Sequence, residues 1–307
     1  MKFGIIDCGT NTFNLLIAEK DEQGWNVLFE NKLAVKLGAG GFAEKRIVPS
    51  RMIRGIDALY AHKNNLANFE CTNFKVFATS AIREASNGKD FVALVKKKLG
   101  LDIEVIDGNR EAELIYKGIS ATIDLGEDPS LLIDIGGGST EFIIANKHEI
   151  FWKKSYLLGV SRLHEYIKPE DKMTRDDMSR LRHYLESELA ELKSKIEEYN
   201  VTQMVGSSGS FDTIFALYKH SNPALRNLPF ETLNEIPVTY FPSMHLWLMN
   251  TTYNERLKHP AIPSIRAEYI PLASYLVKTV MEMGKFTKMF HSAYALKEGA
   301  LESLHIQ

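Results

Sequence analysis

One short pattern occurs twice in this chain and constrains its fold more than any other feature. In each copy an apolar strand delivers an aspartate, a turn of small residues follows, and a second apolar strand leaves the turn. The copies are Ile5-Ile6-Asp7-Cys8-Gly9-Thr10-Asn11-Thr12 and Ile133-Asp134-Ile135-Gly136-Gly137-Gly138-Ser139-Thr140. The repetition predicts two related domains produced by an internal duplication.

The length and the rhythm of elements agree with two domains. The chain has 307 residues, enough for about two domains of ordinary size. Short β-branched runs alternate with amphipathic helical stretches, which is typical of an α/β fold. We expect one domain at 1–125 and a second at 126–307, with the last helix, about 296–307, able to pack back onto the first.

Three local predictions accompany this division. Ser50 is expected to cap a helix that runs to about Glu70. Thr174, with Asp177 at a capping-box position, is expected to begin a long charged helix that ends near Tyr199. Four prolines between Asn222 and Pro242 predict an irregular segment.

The charge balance and the cysteines limit the class of protein. Lys and Arg number 37 and Asp and Glu number 39, a formal net charge of −2, which disfavours a general nucleic-acid or membrane-surface binder. Only Cys8 and Cys71 are present, without the spacing of a zinc site or a disulfide framework. No apolar run resembles a signal peptide or a membrane span. We therefore expect a cytoplasmic protein with neither nucleic acid nor membrane as a partner.

The two small-residue turns can bind phosphate. Glycines let the backbone approach an anion closely, while backbone N–H groups and hydroxyls converge on its oxygens. Either turn alone could equally be a β-turn that needs positive φ. The motifs of P-loop, dinucleotide-binding, serine-hydrolase and HExxH metal enzymes are all missing from the sequence. The candidate phosphate-binding residues are Gly9, Thr10, Asn11, Thr12, Gly136, Gly137, Gly138, Ser139 and Thr140.

Charged residues lie close to these turns. Asp7 and Asp134 stand where strands meet the turns and could hold Mg²⁺ directly or through water. Glu111 is expected in the first turn of a helix, where the helix dipole favours an ionised carboxylate that could order a water molecule. Arg83, at the end of a strand, could bind phosphate in bidentate fashion. Glu111 and Arg83 could equally be an ordinary N-terminal helix acid and a surface arginine.

Several segments, in order, resemble the signatures of the exopolyphosphatase/guanosine pentaphosphate phosphohydrolase family. The resemblance extends over nearly the whole chain, and its most specific part is Gly-Gly-Gly-Ser-Thr-Glu combined with Gly-x-x-Glu-Ala. The matching segments are Asp7 to Thr12, Ala78-Thr79-Ser80-Ala81-Ile82-Arg83, Gly108-Asn109-Arg110-Glu111-Ala112, Asp134 to Glu141, Leu158 to Leu163, Arg266-Ala267-Glu268 and Leu296-Lys297-Glu298-Gly299.

The resemblance implies two duplicated ribonuclease-H-like (actin-like ATPase) domains with an interdomain cleft and Mg²⁺-dependent hydrolysis of a terminal phosphate. It implies that Glu111 is the base for the attacking water, with Glu141 helping to position that water. Asp134 is implied as the Mg²⁺ ligand, with Asp7 and Glu141 as further candidates. Arg83, both glycine turns, and Ser208 and Gly209 of a third small-residue turn are implied to bind phosphate.

The sequence departs from the family pattern at the third turn and beside the candidate base. Gly206-Ser207-Ser208-Gly209-Ser210 replaces the usual Gly-Gly-Thr, Ala273 replaces a common glycine, and Arg110 and Glu113 exchange the charges that often flank Glu-Ala. The expected substrate is polyphosphate or guanosine pentaphosphate, and a homodimer is left open. Two rival functions also remain: an actin-like small-molecule kinase, and a non-catalytic sensor of polyphosphate or alarmone.

Overall fold

A computed structural model describes residues 1–22, 24–226 and 233–304, which form two compact units. The first unit contains residues 1–118 and the chain from residue 296 onward. Its strands are β1 (Lys2–Cys8), β2 (Thr12–Asp21), β3 (Gly24–Ala34), β4 (Asn73–Ala78) and β5 (Ile103–Val105). Its first helices are α1 (Pro49–Asn68), α2 (Ser80–Arg83), α3 (Gly88–Leu99) and α4 (Gly108–Ser120).

The first sheet has the order β3-β2-β1-β4-β5. Strands β1, β2 and β3 are antiparallel neighbours, whereas β4 runs parallel to β1 and β5 runs parallel to β4. Apolar residues of β1 and β2, among them Ile6, Phe13 and Leu15, form the core with α1 and α3. Because parallel strands end at the same edge of a sheet, the segments after β1, β4 and β5 meet there.

Helix α1 begins two residues earlier than the sequence predicted. Val48 is its N-cap and Pro49 occupies the first turn, with no hydrogen bond from a capping side chain. The prediction that Ser50 caps this helix is therefore wrong. Proline at the start of a helix has its φ already fixed near the helical value and gives up no required hydrogen bond, so the helix starts at Pro49 and Ser50 lies inside the first turn, where it is not the N-cap.

The second unit, residues 119–295, repeats this plan. Its strands are β6 (Ser130–Ile135), β7 (Thr140–Ala145), β8 (Ile150–Tyr156), β9 (Gln203–Ser207), β10 (Leu233–Glu235) and β11 (Lys288–Ser292). Its helices are α5 (Val160–Ile167), α6 (Arg175–Glu188), α7 (Ala190–Glu198), α8 (Ser208–Ser221), α9 (Phe241–Asn250), α10 (Tyr253–Lys258) and α11 (Ile270–Met281). All residues of β6 and β7 are buried, as expected for strands covered on both faces.

The two sheets share one topology. The second sheet has the order β8-β7-β6-β9-β11-β10, with β6, β7 and β8 antiparallel, β9 parallel to β6, and β11 parallel to β9. Its first five strands therefore repeat the order and directions of the first sheet, and β10 is an added antiparallel edge strand. This confirms the expected fold of duplicated ribonuclease-H-like, actin-like domains.

The remaining local predictions had different outcomes. Thr174 and Asp177 form the expected capping box at the start of α6. The long helix expected to follow is instead divided at Leu189 into α6 and α7. The predicted irregular segment between Asn222 and Pro242 falls partly on residues 227–232, which lie outside the described residues. In its described part the prediction is wrong at Leu233–Glu235, because these residues form strand β10 by pairing with β11.

The final helix, α12 (Leu296–Leu304), packs within the first unit. Lys297 Nζ donates to Glu30 Oε1 on β3 at 2.8 Å. A Cβ atom at Gly299 would overlap the carbonyl oxygen of Leu114 on α4, so glycine permits this close helix contact. Residues 305–307 lie outside the described part. Across the helices that the structure describes, none has the length and apolar character needed to span a membrane.

Candidate active site

The first glycine turn joins β1 to β2. Gly9 N donates to Thr12 O at 3.1 Å, and a Cβ atom at Gly9 would lie 3.0 Å from that oxygen. The carbonyls of Thr10 and Asn11 accept hydrogen bonds from the backbone that follows β3, with Leu37 N at 2.7 Å from Thr10 O. These bonds fix the turn as a rigid part of the first unit.

The second glycine turn, between β6 and β7, has the same geometry. Gly136 N donates to Ser139 O at 3.1 Å, and a Cβ atom at Gly136 would also lie 3.0 Å from the acceptor oxygen. Gly137 O accepts from Ser161 N at 2.9 Å, at the start of α5. A side chain at Gly159 would come within 2.4 Å of the turn backbone. The duplication therefore preserves the turn itself, not only its sequence.

A row of side chains crosses each sheet at the aspartate. Register partners on neighbouring strands lie side by side on one face of a sheet. In the second unit the row across β8, β7, β6 and β9 consists of Ser155, Glu141, Asp134 and Ser207. In the first unit the corresponding row across β3, β2, β1 and β4 consists of Lys32, Asn14, Asp7 and Phe77. Of these two rows, only that of the second unit therefore places two carboxylates next to each other.

Serine hydroxyls hold both carboxylates of the second unit. Ser155 Oγ donates to Glu141 Oε1 at 2.7 Å. Ser208 Oγ donates to Asp134 Oδ2 at 2.6 Å, and Ser207 Oγ donates to the same oxygen at 3.3 Å. Burial raises the pKa of Asp134, while these two hydroxyl bonds and the positive charge of Arg266 act in the opposite direction.

Arg266 supplies a buried positive charge in the second unit. A Cβ atom at Gly209 would lie 2.0 Å from Arg266 Nη2, so the guanidinium lies directly against the glycine of the third turn. Burial lowers the pKa of Arg266, and the charges of Asp212 and Asp134 raise it. Among the described residues its guanidinium makes no hydrogen bond to a side chain, and it is only 8% exposed. A buried guanidinium, with five N–H donors and no side-chain acceptor, favours an anionic ligand.

The first unit brings Arg83 and Glu111 together. Arg83 Nη1 donates to Glu111 Oε2 at 2.8 Å and to Ile106 O at 3.0 Å, and its Nε donates to Glu84 Oε1 at 3.0 Å. Glu111 lies in the first turn of α4, where Asp107 Oδ1 accepts from Arg110 N at 2.8 Å. Arg83 is therefore neither a surface residue nor isolated from the candidate base.

The predicted site residues group separately in each unit. In the first unit, Asp7 accepts a hydrogen bond from Asn14 Nδ2 at 2.9 Å, the turn Gly9 to Thr12 follows it, and Arg83 is paired with Glu111. In the second unit, Asp134 and Glu141 are register partners beside the turn Gly136 to Thr140. Ser208 donates a hydrogen bond to Asp134, and Gly209 packs against the Arg266 guanidinium.

Four further residues were not predicted as site residues. Arg266 carried a signal, because it lies in the family-like segment Arg266-Ala267-Glu268. Ser207 also carried a signal, because it lies in the third small-residue turn, Gly206 to Ser210. Ser155 and Asn14 gave none, since their importance arises from strand register with residues distant in the chain.

The acidic pair of the second unit fits a small divalent cation. Asp134 and Glu141 are 6% and 1% exposed, and two neighbouring buried carboxylates are costly unless positive charge or hydrogen bonds balance them. Mg²⁺ is commonly held by one or two carboxylates, with water and substrate phosphate as its other ligands. Larger groups of three or more His, Cys, Asp or Glu side chains suited to a metal do not occur among the described residues.

Solved structures of other proteins have the same architecture. An exopolyphosphatase from Cytophaga hutchinsonii ATCC 33406 is 34% identical and superposes with a TM-score of 0.94, covering 99% of this chain and 97% of the other. The Aquifex aeolicus PPX-GPPA enzyme is 25% identical with a TM-score of 0.80, and 99% of each chain is covered. Both similarities extend across the two units.

Sequence comparisons point the same way. A guanosine-5'-triphosphate,3'-diphosphate pyrophosphatase of Pseudoalteromonas translucida (strain TAC 125) is 35% identical over 167 residues, which is 54% of this chain and 33% of that protein. The match thus spans about a third of that relative's length. The family model described as the Ppx/GppA phosphatase family matches residues 16–306. The chain, with its two glycine turns and paired carboxylates, belongs to the Ppx/GppA phosphatase family.

Proposed function

We propose that this protein is a Mg²⁺-dependent phosphohydrolase. Its substrates are inorganic polyphosphate, guanosine pentaphosphate or both, from which it releases the terminal or the 5'-phosphate, respectively. The observation that carries the proposal is the buried pair Asp134 and Glu141 beside the second glycine turn. The family membership and the similarity to an exopolyphosphatase and to a pyrophosphatase support it.

Phosphate binding is assigned to the glycine turns and the arginines. Backbone N–H groups of Gly9 to Thr12 and Gly136 to Thr140 would bind phosphate oxygens, as turns of this composition do. Arg83 and Arg266 would neutralise negative charge, and Gly209 leaves room for the second of these side chains. In phosphoryl transfer, such positioning and charge neutralisation contribute most of the catalysis.

Water activation is assigned to Glu111 and Glu141. The oxygen of a water molecule attacks the terminal phosphorus, the bond from phosphorus to the bridging oxygen breaks, and Glu111 accepts the proton of the water. Arg83 fixes the Glu111 carboxylate through the 2.8 Å bond, and Ser155 fixes Glu141. A positioned carboxylate of this kind typically accelerates proton transfer by about 10²- to 10⁴-fold.

Asp134 would bind Mg²⁺, with Glu141 and Asp7 as additional ligands directly or through water. The ion would neutralise charge on the phosphate oxygens and on the leaving group. Ser207 and Ser208 hold the Asp134 carboxylate through one of its oxygens. The cytoplasmic location and the homodimer considered from the sequence remain predictions.

A phosphate-release assay tests the proposal. Purified protein is incubated with short polyphosphate, long polyphosphate and guanosine pentaphosphate, each with Mg²⁺ and with excess EDTA. Release that requires Mg²⁺ from at least one substrate is the expected result, and the ratio among the three identifies the preferred one. No release from any substrate would contradict the proposal. Sugar-dependent formation of ADP would instead favour a kinase, and tight binding without turnover would favour a sensor.

A further inference from the structure

The third turn of the second unit has an unusual backbone. Ser208, the first residue of α8, has a φ of +65°. This left-handed conformation disfavours residues other than glycine, and such conformations persist where surrounding interactions hold them. Ser208 is therefore held in a strained conformation beside the candidate site.

The hydroxyls of this turn all face β6. Ser208 Oγ and Ser207 Oγ both donate to Asp134 Oδ2, and Ser210 Oγ donates to Ile135 O at 3.3 Å. Within the described residues, Oδ1 of Asp134 accepts no hydrogen bond, so both serines use the same carboxylate oxygen. The two bonds to Oδ2 fix the rotation of the Asp134 carboxylate and leave its other oxygen, Oδ1, without a hydrogen-bond donor among the described residues.

We infer that Ser208 is a positioning residue that orients the Asp134 carboxylate for cation binding, and not itself a phosphate ligand. The inference rests on the proposed function. It gives the strained backbone a role, because the residue with the left-handed conformation at the start of α8 is the same residue that donates the 2.6 Å hydrogen bond to Asp134. Residues that orient metal ligands typically change metal affinity or activity by about 10- to 100-fold when removed.

Glycine and alanine variants separate positioning from simple folding stability. Ser208→Gly removes the hydroxyl but relieves the backbone strain, so the fold should be at least as stable as the wild type. Ser208→Ala removes the same hydroxyl and keeps the strain. Asn200→Gly is the matched control, because Asn200 also has a positive φ of +50° in the second unit and is an exposed residue.

The measurements are phosphate release as a function of Mg²⁺ concentration, and the rise in melting temperature when Mg²⁺ and inorganic phosphate are added. Both Ser208 variants should need about tenfold more Mg²⁺ for half-maximal activity, and both should show a smaller rise in melting temperature than the wild type. Asn200→Gly should match the wild type in both measurements.

A Ser208→Gly variant with wild-type Mg²⁺ requirement and wild-type thermal shift would overturn the inference while leaving the proposed function intact. A wild-type protein that releases no phosphate would instead remove the proposed function, and the inference would fall with it. If Ser208→Ala alone were impaired, with Ser208→Gly normal, the serine would have only a structural role and the inference would be wrong.

Discussion

Arg83 and Glu111, which are separated by helix α3 and strand β5 in the chain, form a direct ion pair of 2.8 Å between Nη1 and Oε2. Their side chains are only 16% and 9% exposed. The same Nη1 also binds Ile106 O, just before α4. One arginine thus connects the segment after β4 with the helix that carries the candidate base, and it orients that base.

Replacing Glu111 tests the base directly. Glu111→Gln keeps the shape of the side chain but cannot accept a proton, so kcat should fall by about 10²- to 10⁴-fold, with little change in KM. Glu113→Gln is the control, because Glu113 lies on the same helix and pairs with Arg110 at 3.3 Å; its kcat should change less than about threefold. The assay is steady-state phosphate release, and equal losses in the two variants would argue against the assignment.

The ion pair should also be visible in stability. Arg83→Ala leaves the Glu111 carboxylate inside the protein without this partner, so the free energy of unfolding should fall by about 1–3 kcal/mol. The double variant Arg83→Ala/Glu111→Ala should lose less than the sum of the two single losses. Urea unfolding of the four proteins measures the coupling, and strictly additive losses would show that the pair contributes nothing.

The absence of a side chain at Gly209 should determine the position of the Arg266 guanidinium. A methyl group at Gly209 would lie 2.0 Å from Arg266 Nη2, so Gly209→Ala must displace the guanidinium. We expect KM to rise about tenfold, equivalent to about 1.4 kcal/mol of lost binding. Gly284→Ala is the matched control, since the atoms nearest to a Cβ atom there are side-chain carbons of Ile196 and Phe286, the first at 2.8 Å. A normal KM in Gly209→Ala would exclude Arg266 from phosphate binding.

The unequal rows of the two sheets predict unequal contributions to cation binding. Asp134 has Glu141 as its neighbour, whereas Asp7 has the amide of Asn14. Asp134→Asn should therefore raise the Mg²⁺ concentration for half-maximal activity by at least about tenfold, and Asp7→Asn should raise it less. Activity titrations after EDTA treatment provide the test, and a larger effect at Asp7 would contradict the assignment.

His245 should make stability depend on pH. Burial lowers the pKa of His245 to about 4 from its ordinary 6.5, and the ring contacts Ser274 Oγ at 3.1 Å. Below pH 6.5 the unfolded chain takes up a proton that the folded protein does not, so stability falls as pH decreases from 6.5 towards 4. His245 alone should contribute about 2 kcal/mol of the loss between pH 7.5 and 5.

Unfolding by urea at these two pH values measures this contribution. His245→Gln should lose about 2 kcal/mol less than the wild type over the same interval. His183→Gln, at an exposed position of α6, should behave like the wild type. A pH dependence that is unchanged by His245→Gln would show that another group is responsible.

The sequence alone determined the duplicated fold and the two turns. A strand, an aspartate and a glycine turn are contiguous, so local backbone preferences are sufficient to define them, and Gly9 and Gly136 adopt the same geometry. The Thr174 cap could be predicted for the same reason. The prediction that Ser50 is a cap was wrong, because the helix starts at Pro49 and Ser50 lies inside its first turn.

Only the tertiary structure decided which partners hold the charged groups. Ser155 meets Glu141, Ser207 meets Asp134, and Asn14 meets Asp7 through strand register, which depends on the packing of whole sheets. Arg266 reaches Gly209 from a segment that follows α10. These contacts join residues far apart in the chain, and no local pattern specifies them, because the pairing is fixed by burial of the sheet as a whole.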